Sequence, residues 1–405
     1  MLKIEKYQKL FAHFSLFLFF TLLFIFPKGY NYGATLLLTA SVIFLFSSFY
    51  KKIDLFQFVK KNKTIFASVI FYFLVSVFFV LLHGEKIKLI DNPFRAFLFL
   101  SVIIFLSYSK LKFDILLYII PLGSFIAGVV ALYQYYILHL PSAFWEQMKI
   151  QSGDIAMSLG LFSFVVSFYF IDINKSKLAL LSTIAGLFGV LASVLSFARG
   201  GWIGIPLIFF VVLYIYKLVG VIGLSIFMGG VLLSNNAQFM DRVLSVKSAL
   251  TSYSNGVKDG SIGARLDMWK MGSDAFLEHP ISGWNLKELD SYKKALAEKG
   301  VVSPEFIQYT HFHNQFIDDA AKKGLLGGIS LLGVFLIPLY FFYKKQRSYK
   351  ESKRIKFITT LGVVHILSIM SYCITQAFLA HNSGNVFYFF LLVVFWAFMK
   401  NENEE

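Results

Sequence analysis

The sequence has 405 residues, of which 57% are hydrophobic and only 15% are charged, and it contains 48 phenylalanines. A soluble domain carries roughly 25% charged residues, so this composition excludes a water-soluble globular protein. The formal net charge of +15 lies largely in short loops between apolar runs and does not indicate a nucleic-acid partner. The single cysteine, Cys373, excludes an intramolecular disulfide.

Apolar runs of roughly 20 residues recur along the chain, which is the length that an α-helix needs to cross the hydrocarbon core of a bilayer. Their polarity does not alternate at every second residue, as it would in the strands of a membrane barrel. Helices are expected because lipid offers the backbone no hydrogen-bond partner. The sequence therefore predicts an all-α polytopic membrane protein with about twelve transmembrane helices, at residues 10–26, 33–50, 64–82, 93–109, 113–138, 154–172, 177–197, 201–217, 218–234, 325–343, 356–380 and 384–399.

The basic residues lie on one side of this topology. The loops at 51–63 and 344–356 are rich in lysine and arginine, and each connects an even-numbered span to the next odd-numbered span. The N-terminus, with Lys3, Lys6 and Lys9, lies on the same side, and no small-residue cleavage site follows the first span. The positive-inside rule makes this side cytoplasmic, so both termini are expected in the cytoplasm.

The remaining loops face outward, and one of them is long. Within it, the spacing of apolar residues over 264–278 predicts an amphipathic helix that ends before Pro280. A second helix is predicted over 312–323, leading into span ten. The chain thus divides into three predicted parts, which hold spans one to nine (1–234), the long outward loop between spans nine and ten (235–323), and spans ten to twelve with a short cytoplasmic tail (324–405).

Two arginines lie at outward positions where a membrane protein has no general need for charge. Arg199, in SFARGGW, sits between two apolar runs, where an arginine is costly unless it snorkels or meets a partner. Gly200 and Gly201 after it allow a ligand to approach the backbone closely. Arg265, in ARLDMW, can bind a ligand, but it can also simply pair with Asp267 or a lipid phosphate.

The long loop also carries the segment THFHN, which contains His311, His313 and Asn314. Neutral histidine is a natural general base near neutral pH. A His-x-His pair can also ligate a metal, but no third ligand is evident nearby, so a metal site is not expected. For either histidine alone, a ring satisfied inside an interface helix is the plainer interpretation.

Three further outward residues are candidate ligands of a substrate. Arg95 opens span four, His381 lies in the last outward loop, and Trp284 lies in the long loop. A tryptophan can stack on a sugar face or simply mark the interfacial aromatic belt. None of these three residues indicates a function by itself.

Taken together, these segments resemble the O-antigen ligase family, within the larger superfamily of O-antigen ligases and polymerases. The resemblance rests on SFARGGW at 196–202, ARLDMW at 264–269, HPISGW at 279–284 and HFHNQFIDDAAKKGLLGG at 311–328. It implies a helical membrane fold similar to the type C glycosyltransferases. It also implies metal-independent, inverting transfer of O-antigen polysaccharide from undecaprenyl diphosphate to lipid A–core, at the periplasmic face of the Gram-negative inner membrane.

The resemblance and the chemistry of the residue types assign roles. Arg199 and Arg265 are expected to clamp the donor diphosphate, since the arginine fork binds phosphate oxygens bidentately and stays charged. His313 is expected to accept the proton of the acceptor hydroxyl because it matches the family's His-Asn pair, although the choice between His311 and His313 stays open here. The expected partners are the lipid-linked donor, the lipid A–core acceptor and the surrounding membrane lipids, and no cofactor, metal or nucleic acid is expected. Substrate binding is assigned to His311, Asn314, Arg95, Trp284 and His381.

Three alternatives stay open from the sequence. An O-antigen polymerase uses a similar donor, but commonly has two substantial outward loops where this chain has one. A periplasmic O-oligosaccharyltransferase is also related, but such enzymes are usually longer. A transporter or lipid flippase belongs to another class, and usually places its ionisable groups at mid-membrane rather than in an outward loop.

Overall fold

The computed structural model describes residues 2–50, 54–202, 204–216, 260–302, 307–349 and 352–402. Within these ranges the chain is helical and contains no strand. Its α-helices, numbered in chain order over these ranges, are α1 (Leu2–Leu22), α2 (Tyr30–Tyr50), α3 (Leu55–Lys61), α4 (Lys63–Leu82), α5 (Asp91–Tyr108), α6 (Leu116–Leu132), α7 (Lys149–Asp172), α8 (Ser176–Leu195), α9 (Ile205–Tyr216), α10 (Gly260–Glu278), α11 (Leu286–Glu298), α12 (Gln315–Ser348), α13 (Lys353–Thr375) and α14 (Asn382–Asn401).

In the described part of the chain, nine helices are long and apolar enough to cross a membrane, and they coincide with predicted spans two to seven and ten to twelve. The expectation of a helical membrane protein is therefore confirmed. The predicted first span corresponds to α1 and the eighth, in part, to α9, whereas the ninth, at 218–234, lies outside the described residues. The total of about twelve spans, the position of the long loop and the three-part division of the chain stay predictions.

The last helix, α14, forms the centre of the bundle. Every residue from Gly384 to Met399 is buried, and α14 packs against α2, α5, α7 and α13. A helix that is apolar on all sides is typical of such an enclosed position. Helices α13 and α7, which pack against each other, are the next most enclosed.

Small residues bring α6, α7 and α8 into close contact. A Cβ placed on Gly160 of α7 would lie 2.9 Å from the carbonyl oxygen of Gly186 in α8, and one on Gly189 would lie 2.8 Å from the Cα of Gly160. The hydroxyl of Ser124 in α6 donates a hydrogen bond of 2.8 Å to the carbonyl oxygen of Ala185. Backbones that approach so closely gain van der Waals contact, which is a main source of attraction between helices in lipid.

Helices α10 and α11 and the first turns of α12 enclose a smaller second core. The predicted amphipathic helix at 264–278 is α10, which ends before Pro280 as expected. Helix α11 was not anticipated from the sequence, although Asn285 caps it by accepting a hydrogen bond of 2.8 Å from the backbone N–H of Glu288. The buried side chains of the second core are Met268, Met271, Ala275, Leu289, Val302, Phe312 and Ala321.

A glycine joins the second core to the membrane-spanning part of α12. The predicted helix at 312–323 is the first part of α12, which turns at Gly324, where φ is 56° and ψ is −162°, before it continues as span ten. Glycine alone adopts this conformation readily, and a Cβ at this position would lie 2.4 Å from the carbonyl oxygen of Ile281. The N–H of Leu325 donates a hydrogen bond of 2.7 Å to the carbonyl oxygen of Pro280. The loop after α10 is thus fixed against the turn in α12.

Candidate active site

Three histidines come together between the second core and the end of α13. His311 and His313 lie in the segment 307–314 before α12, and His381 follows the 3-10 turn Phe378–Ala380. The ring centroids of His311 and His313 are 4.3 Å apart, and those of His311 and His381 are 5.6 Å apart. The structure therefore brings together three of the side chains that the sequence predicted for the site.

Gln376, which directly follows α13, links two of these histidines. Its Oε1 lies 2.6 Å from Nδ1 of His313, and its Nε2 lies 3.2 Å from Nε2 of His381. An amide oxygen only accepts hydrogen bonds, so Nδ1 of His313 carries the proton and donates it. A neutral imidazole has one N–H, so Nε2 of His313 holds a lone pair that can accept a proton from a substrate.

His311 has the opposite tautomer. The backbone N–H of His313 donates a hydrogen bond of 3.3 Å to Nδ1 of His311. This nitrogen is therefore an acceptor, and the proton of the His311 ring lies on Nε2. His311 is thus arranged to donate a hydrogen bond to a ligand, whereas His313 is arranged to take up a proton, which favours His313 as the general base.

Burial keeps these rings neutral. Desolvation lowers the pKa of His313, the hydrogen bond to Gln376 opposes this shift, and the charge of Arg265 adds to it. Desolvation, with a contribution from His313, lowers the pKa of His311 to about 3, and burial also lowers the pKa of His381. At neutral pH the three rings are uncharged, which is the state that a general base requires.

The backbone of His313 is strained and is held from both sides. Its φ of 50° lies in the left-handed region, which costs an ordinary residue about 1 kcal/mol. Its carbonyl oxygen accepts a hydrogen bond of 3.3 Å from the indole N–H of Trp269 in α10. Asn314 caps α12, because its Oδ1 accepts hydrogen bonds of 3.0 and 3.2 Å from the N–H groups of Phe316 and Ile317. The cap and the indole together fix the segment that presents His313.

Gln315 fixes the turn that carries the third histidine. Its Oε1 accepts hydrogen bonds of 2.9 Å from the N–H of Leu379 and 3.3 Å from the N–H of Ala380. Its Nε2 donates a hydrogen bond of 2.6 Å to Asp319, one turn further along α12. Because Gln315 and Asp319 are both buried, these hydrogen bonds are shielded from water and hold the turn firmly against α12.

The two predicted arginines lie on different elements. Arg265 is half-buried in the second turn of α10, which packs against α12, and its charge acts on His313. Arg199 begins the 3-10 turn between α8 and α9, which packs against α7 and α13, but its side chain lies outside the described part of the structure. In this turn a Cβ on Gly201 would lie 2.8 Å from Oδ1 of Asp154 in α7. The glycine is needed because the backbone lies against this carboxylate.

The other two predicted ligands have different surroundings. Arg95 lies in the second turn of α5, and its Nη1 is buried with no hydrogen-bond partner among the described residues. Asn92, near the start of α5, donates a hydrogen bond of 2.8 Å to the carbonyl oxygen of Ala380, so α5 meets the turn that carries the third histidine. Trp284 packs beside the second core, where its indole N–H donates a hydrogen bond of 2.7 Å to the carbonyl oxygen of Ala275. Substrate binding by Arg95 and Trp284 stays a prediction.

Three buried polar residues were not predicted from the sequence, and they are Asp154, Gln315 and Gln376. Two of them lie inside predicted spans, because Asp154 opens the run 154–172 and Gln376 is near the end of 356–380. Burying a polar side chain costs free energy unless it finds a hydrogen-bond partner. A lone aspartate or glutamine inside an apolar run is therefore the signal by which such residues can be recognised in a sequence.

Comparisons with known proteins point to one family. The chain matches the family model described as O-antigen ligase over residues 184–332, a range that contains Arg199, Arg265 and the segment 311–314. It is 33% identical over 402 residues to an uncharacterised protein of Haemophilus influenzae, covering 96% of this chain and 99% of that protein. It is 28% identical over 328 residues to an O-antigen ligase of Escherichia coli, covering 72% of this chain and 74% of that protein. The chain, which has apolar membrane helices, is thus similar to the O-antigen ligase family and matches its model over residues 184–332.

Proposed function

We propose that the chain is an O-antigen ligase that transfers a polysaccharide from undecaprenyl diphosphate to a sugar hydroxyl of lipid A–core. The match to the O-antigen ligase family model and the similarity to a protein named O-antigen ligase support glycosyl transfer. The observation that carries the proposal is the tautomer of His313, whose Nδ1–H donates to Gln376 and whose Nε2 can therefore accept a proton. A hydroxyl that must become a nucleophile requires such a base.

In this mechanism one displacement moves the glycan. The acceptor oxygen bonds to the anomeric carbon of the donor sugar while the bond from that carbon to the diphosphate breaks. The hydroxyl proton passes to Nε2 of His313, and the diphosphate leaves with the electron pair. Arg199 and Arg265 stabilise the charge that develops on the leaving group, which is why bidentate, permanently charged guanidinium groups suit these positions. Attack from the opposite face inverts the anomeric centre.

The other histidines suit substrate binding. The proton of His311 lies on Nε2, and the hydrogen bond that His381 accepts through Nε2 leaves its own proton on Nδ1. Both rings therefore have an N–H group that can donate to a sugar hydroxyl or a phosphate oxygen. Arg95, with a buried Nη1 on the neighbouring helix, supplies a further positive charge for the donor.

A lipid-linked donor fits the expected topology. The basic loops favour an arrangement in which the site faces the periplasm of a Gram-negative cell, and both termini face the cytoplasm. No nucleotide sugar is supplied on that side, so the donor must arrive in the membrane. Its diphosphate then lies at the edge of the bilayer, close to the level where the turn after α8 presents Arg199.

The first test is transfer by the purified protein, with undecaprenyl-diphosphate-linked glycan as donor, lipid A–core as acceptor and a chelator present. We expect glycan to appear on lipid A–core. Glycan that grows only on the lipid-linked carrier would instead identify a polymerase, and transfer to a protein would identify an O-oligosaccharyltransferase. An inactive but folded protein that moves substrate across proteoliposomes would identify a transporter.

Two matched substitutions test the base. His313→Gln keeps a polar side chain but cannot take up the proton, so we expect kcat to fall roughly 100-fold or more. His311→Gln makes the same change in the neighbouring ring and should cost less, because this side chain only donates a hydrogen bond. A larger loss from His311→Gln than from His313→Gln would contradict the assignment.

A further inference from the structure

Two aliphatic side chains at the edge of the second core are left uncovered by the described residues. Leu277, in the last turn of α10, is 71% exposed, and Ile281, in the loop that follows, is 82% exposed. Their polar neighbours Glu278 and Ser282 are exposed as well. A single exposed aliphatic side chain is ordinary on a protein surface. What distinguishes this pair is its position relative to the membrane-spanning helices.

Hydrogen bonds fix the loop after α10 against the ends of two such helices. Nε2 of His83, the residue that directly follows α4, lies 2.9 Å from the carbonyl oxygen of Ser282. The N–H of Leu325, where α12 continues as a membrane span, donates a hydrogen bond of 2.7 Å to the carbonyl oxygen of Pro280. Both α4 and α12 are long and apolar enough to cross a membrane. The loop that carries Ile281 therefore lies at the level where two membrane spans end.

The segment between α4 and α5 marks the same level by its composition. Oε1 of Glu85 accepts a hydrogen bond of 2.6 Å from the N–H of Leu286, which joins this segment to the far end of the same loop. Ile87 is 77% exposed and stands between Lys86 and Lys88, which are also exposed. Lysine places its stem along apolar surface and its ammonium group among polar headgroups. Because the apolar stretch of the next span is counted from Ile87, the surface of the bilayer passes close to this segment.

We propose that Leu277 and Ile281 form an interfacial anchor, which inserts among the phospholipid headgroups of the leaflet nearest the histidines. Phospholipid is the occupant that fits, because the ends of α4 and α12 fix the level of the loop and the neighbouring lysines suit lipid phosphates. At the depth of an interfacial segment, aliphatic side chains leave water while their polar neighbours stay within reach of it.

The anchor has a consequence for the height of the histidines. Helix α10 carries Leu277 in its last turn, and the indole of Trp269 in the same helix bonds to the carbonyl oxygen of His313. A helix held at the bilayer surface at one end therefore keeps the histidine segment at a fixed distance from the lipid. The anchor itself does not depend on the reaction that the site performs.

Fluorescence quenching of the full chain in phospholipid nanodiscs tests the anchor. The thiol of Cys373 is buried, so a bimane label attaches to a cysteine introduced by Ile281→Cys. We expect brominated phospholipid to quench this label several-fold more strongly than aqueous iodide does. Leu74→Cys, at a position of α4 that is 55% exposed, serves as the standard for lipid contact. Glu298→Cys, at the exposed end of α11, serves as the standard for contact with water.

Two outcomes would overturn the anchor. Quenching of the Ile281→Cys label by iodide to the extent seen for Glu298→Cys would show that the loop stands in water. Protection from both quenchers in a sample that contains two chains per nanodisc would show that a second copy covers the surface.

A charge substitution gives a second readout. Ile281→Asp places a carboxylate at the proposed depth, so quenching by brominated phospholipid of a bimane label on Leu277→Cys should fall at least about twofold. The side chain of Ile281 is exposed, so the melting temperature should stay close to that of the wild type. Unchanged lipid quenching with an unchanged melting temperature would also contradict the anchor. Both measurements report lipid contact directly, so they remain decisive even if the chain transfers no glycan.

Discussion

The hydrogen bond between Gln376 and His313 can be removed with little change of shape by Gln376→Met. Methionine has a similar length, but it lacks the Oε1 that accepts from Nδ1 of His313 at 2.6 Å and the amide N–H that donates to His381. In the ground state this hydrogen bond joins two neutral groups. When His313 accepts the proton of the acceptor hydroxyl, the ring becomes an imidazolium and the same hydrogen bond becomes charge-assisted.

The difference between these two states sets the expected loss. A neutral hydrogen bond contributes about 1 kcal/mol and one to a charged group about 1.5–3 kcal/mol. The excess, about 0.5–2 kcal/mol, is gained only as the proton moves, so kcat should fall roughly two- to thirty-fold. The KM for the donor should change little, because the lost interaction develops in the transition state.

The pH dependence gives a second signature. His313 acts as a neutral base, so activity is lost as the pH falls through its pKa. The hydrogen bond to Gln376 raises this pKa against the effect of burial. Its removal therefore lowers the pKa and moves the acidic limb of kcat/KM to lower pH, whereas Gln376→Glu, which places a carboxylate beside the ring, should move the limb to higher pH.

The assay is initial-rate transfer to lipid A–core from pH 4 to pH 8, with Gln346→Met as the control. Gln346 lies in α12 and donates its hydrogen bond to Thr360 at 3.0 Å, away from the histidines. The control should retain wild-type kcat and the wild-type pH profile. Wild-type kcat and an unshifted acidic limb in Gln376→Met would refute the assignment of His313 Nε2 as the base.

Three further predictions concern stability, measured as unfolding in mixed micelles. Asn314→Ala removes two N-cap hydrogen bonds and should lower the free energy of unfolding by about 1 kcal/mol; no change would show that the cap is not used. Gly324→Ala places a Cβ 2.4 Å from the carbonyl oxygen of Ile281 at a φ of 56° and should cost about 2 kcal/mol or more, whereas Gly328→Ala, with nothing within 4 Å of its Cβ, should be neutral or stabilising. Burial lowers the pKa of His311 to about 3 in the folded protein, against 6.5 for the free side chain. As the pH falls below 6.5 the unfolded chain therefore binds the proton first, and the free energy of unfolding should decrease. In His311→Gln this contribution of His311 to the decrease should disappear.

The sequence predicted the elements that depend on local pattern. Apolar runs predicted the nine helices of the described residues that are long enough to span a membrane, because span length follows directly from bilayer thickness. The periodicity of 264–278 and the position of Pro280 predicted α10 and its end. The motif at 311–314 predicted two of the site histidines, because the imidazole ring is suited to act as a general base wherever it lies in the chain.

The sequence did not predict how these pieces meet. Gln376 looked like one polar residue near the end of an apolar run, and only its distance of 2.6 Å from His313 shows that it sets the tautomer. The choice between His311 and His313 likewise required a backbone hydrogen bond that no spacing reveals. Asp154 was missed because its neighbour Gly201 is adjacent in space and distant in sequence. Pairings across the fold are tertiary information, which local periodicity does not contain.

The site is built from distant parts of the chain, so it can form only late in synthesis and membrane insertion. Asn92 in α5 donates a hydrogen bond to the carbonyl oxygen of Ala380, 288 residues later in the chain. His313 donates one to Gln376, which follows it by 63 residues. During synthesis the histidine segment therefore emerges well before the residue that fixes its proton. A chain whose insertion stops before the end of α13 lacks Gln376 and therefore lacks an oriented base. Activity thus requires that the last two helices, α13 and α14, are inserted.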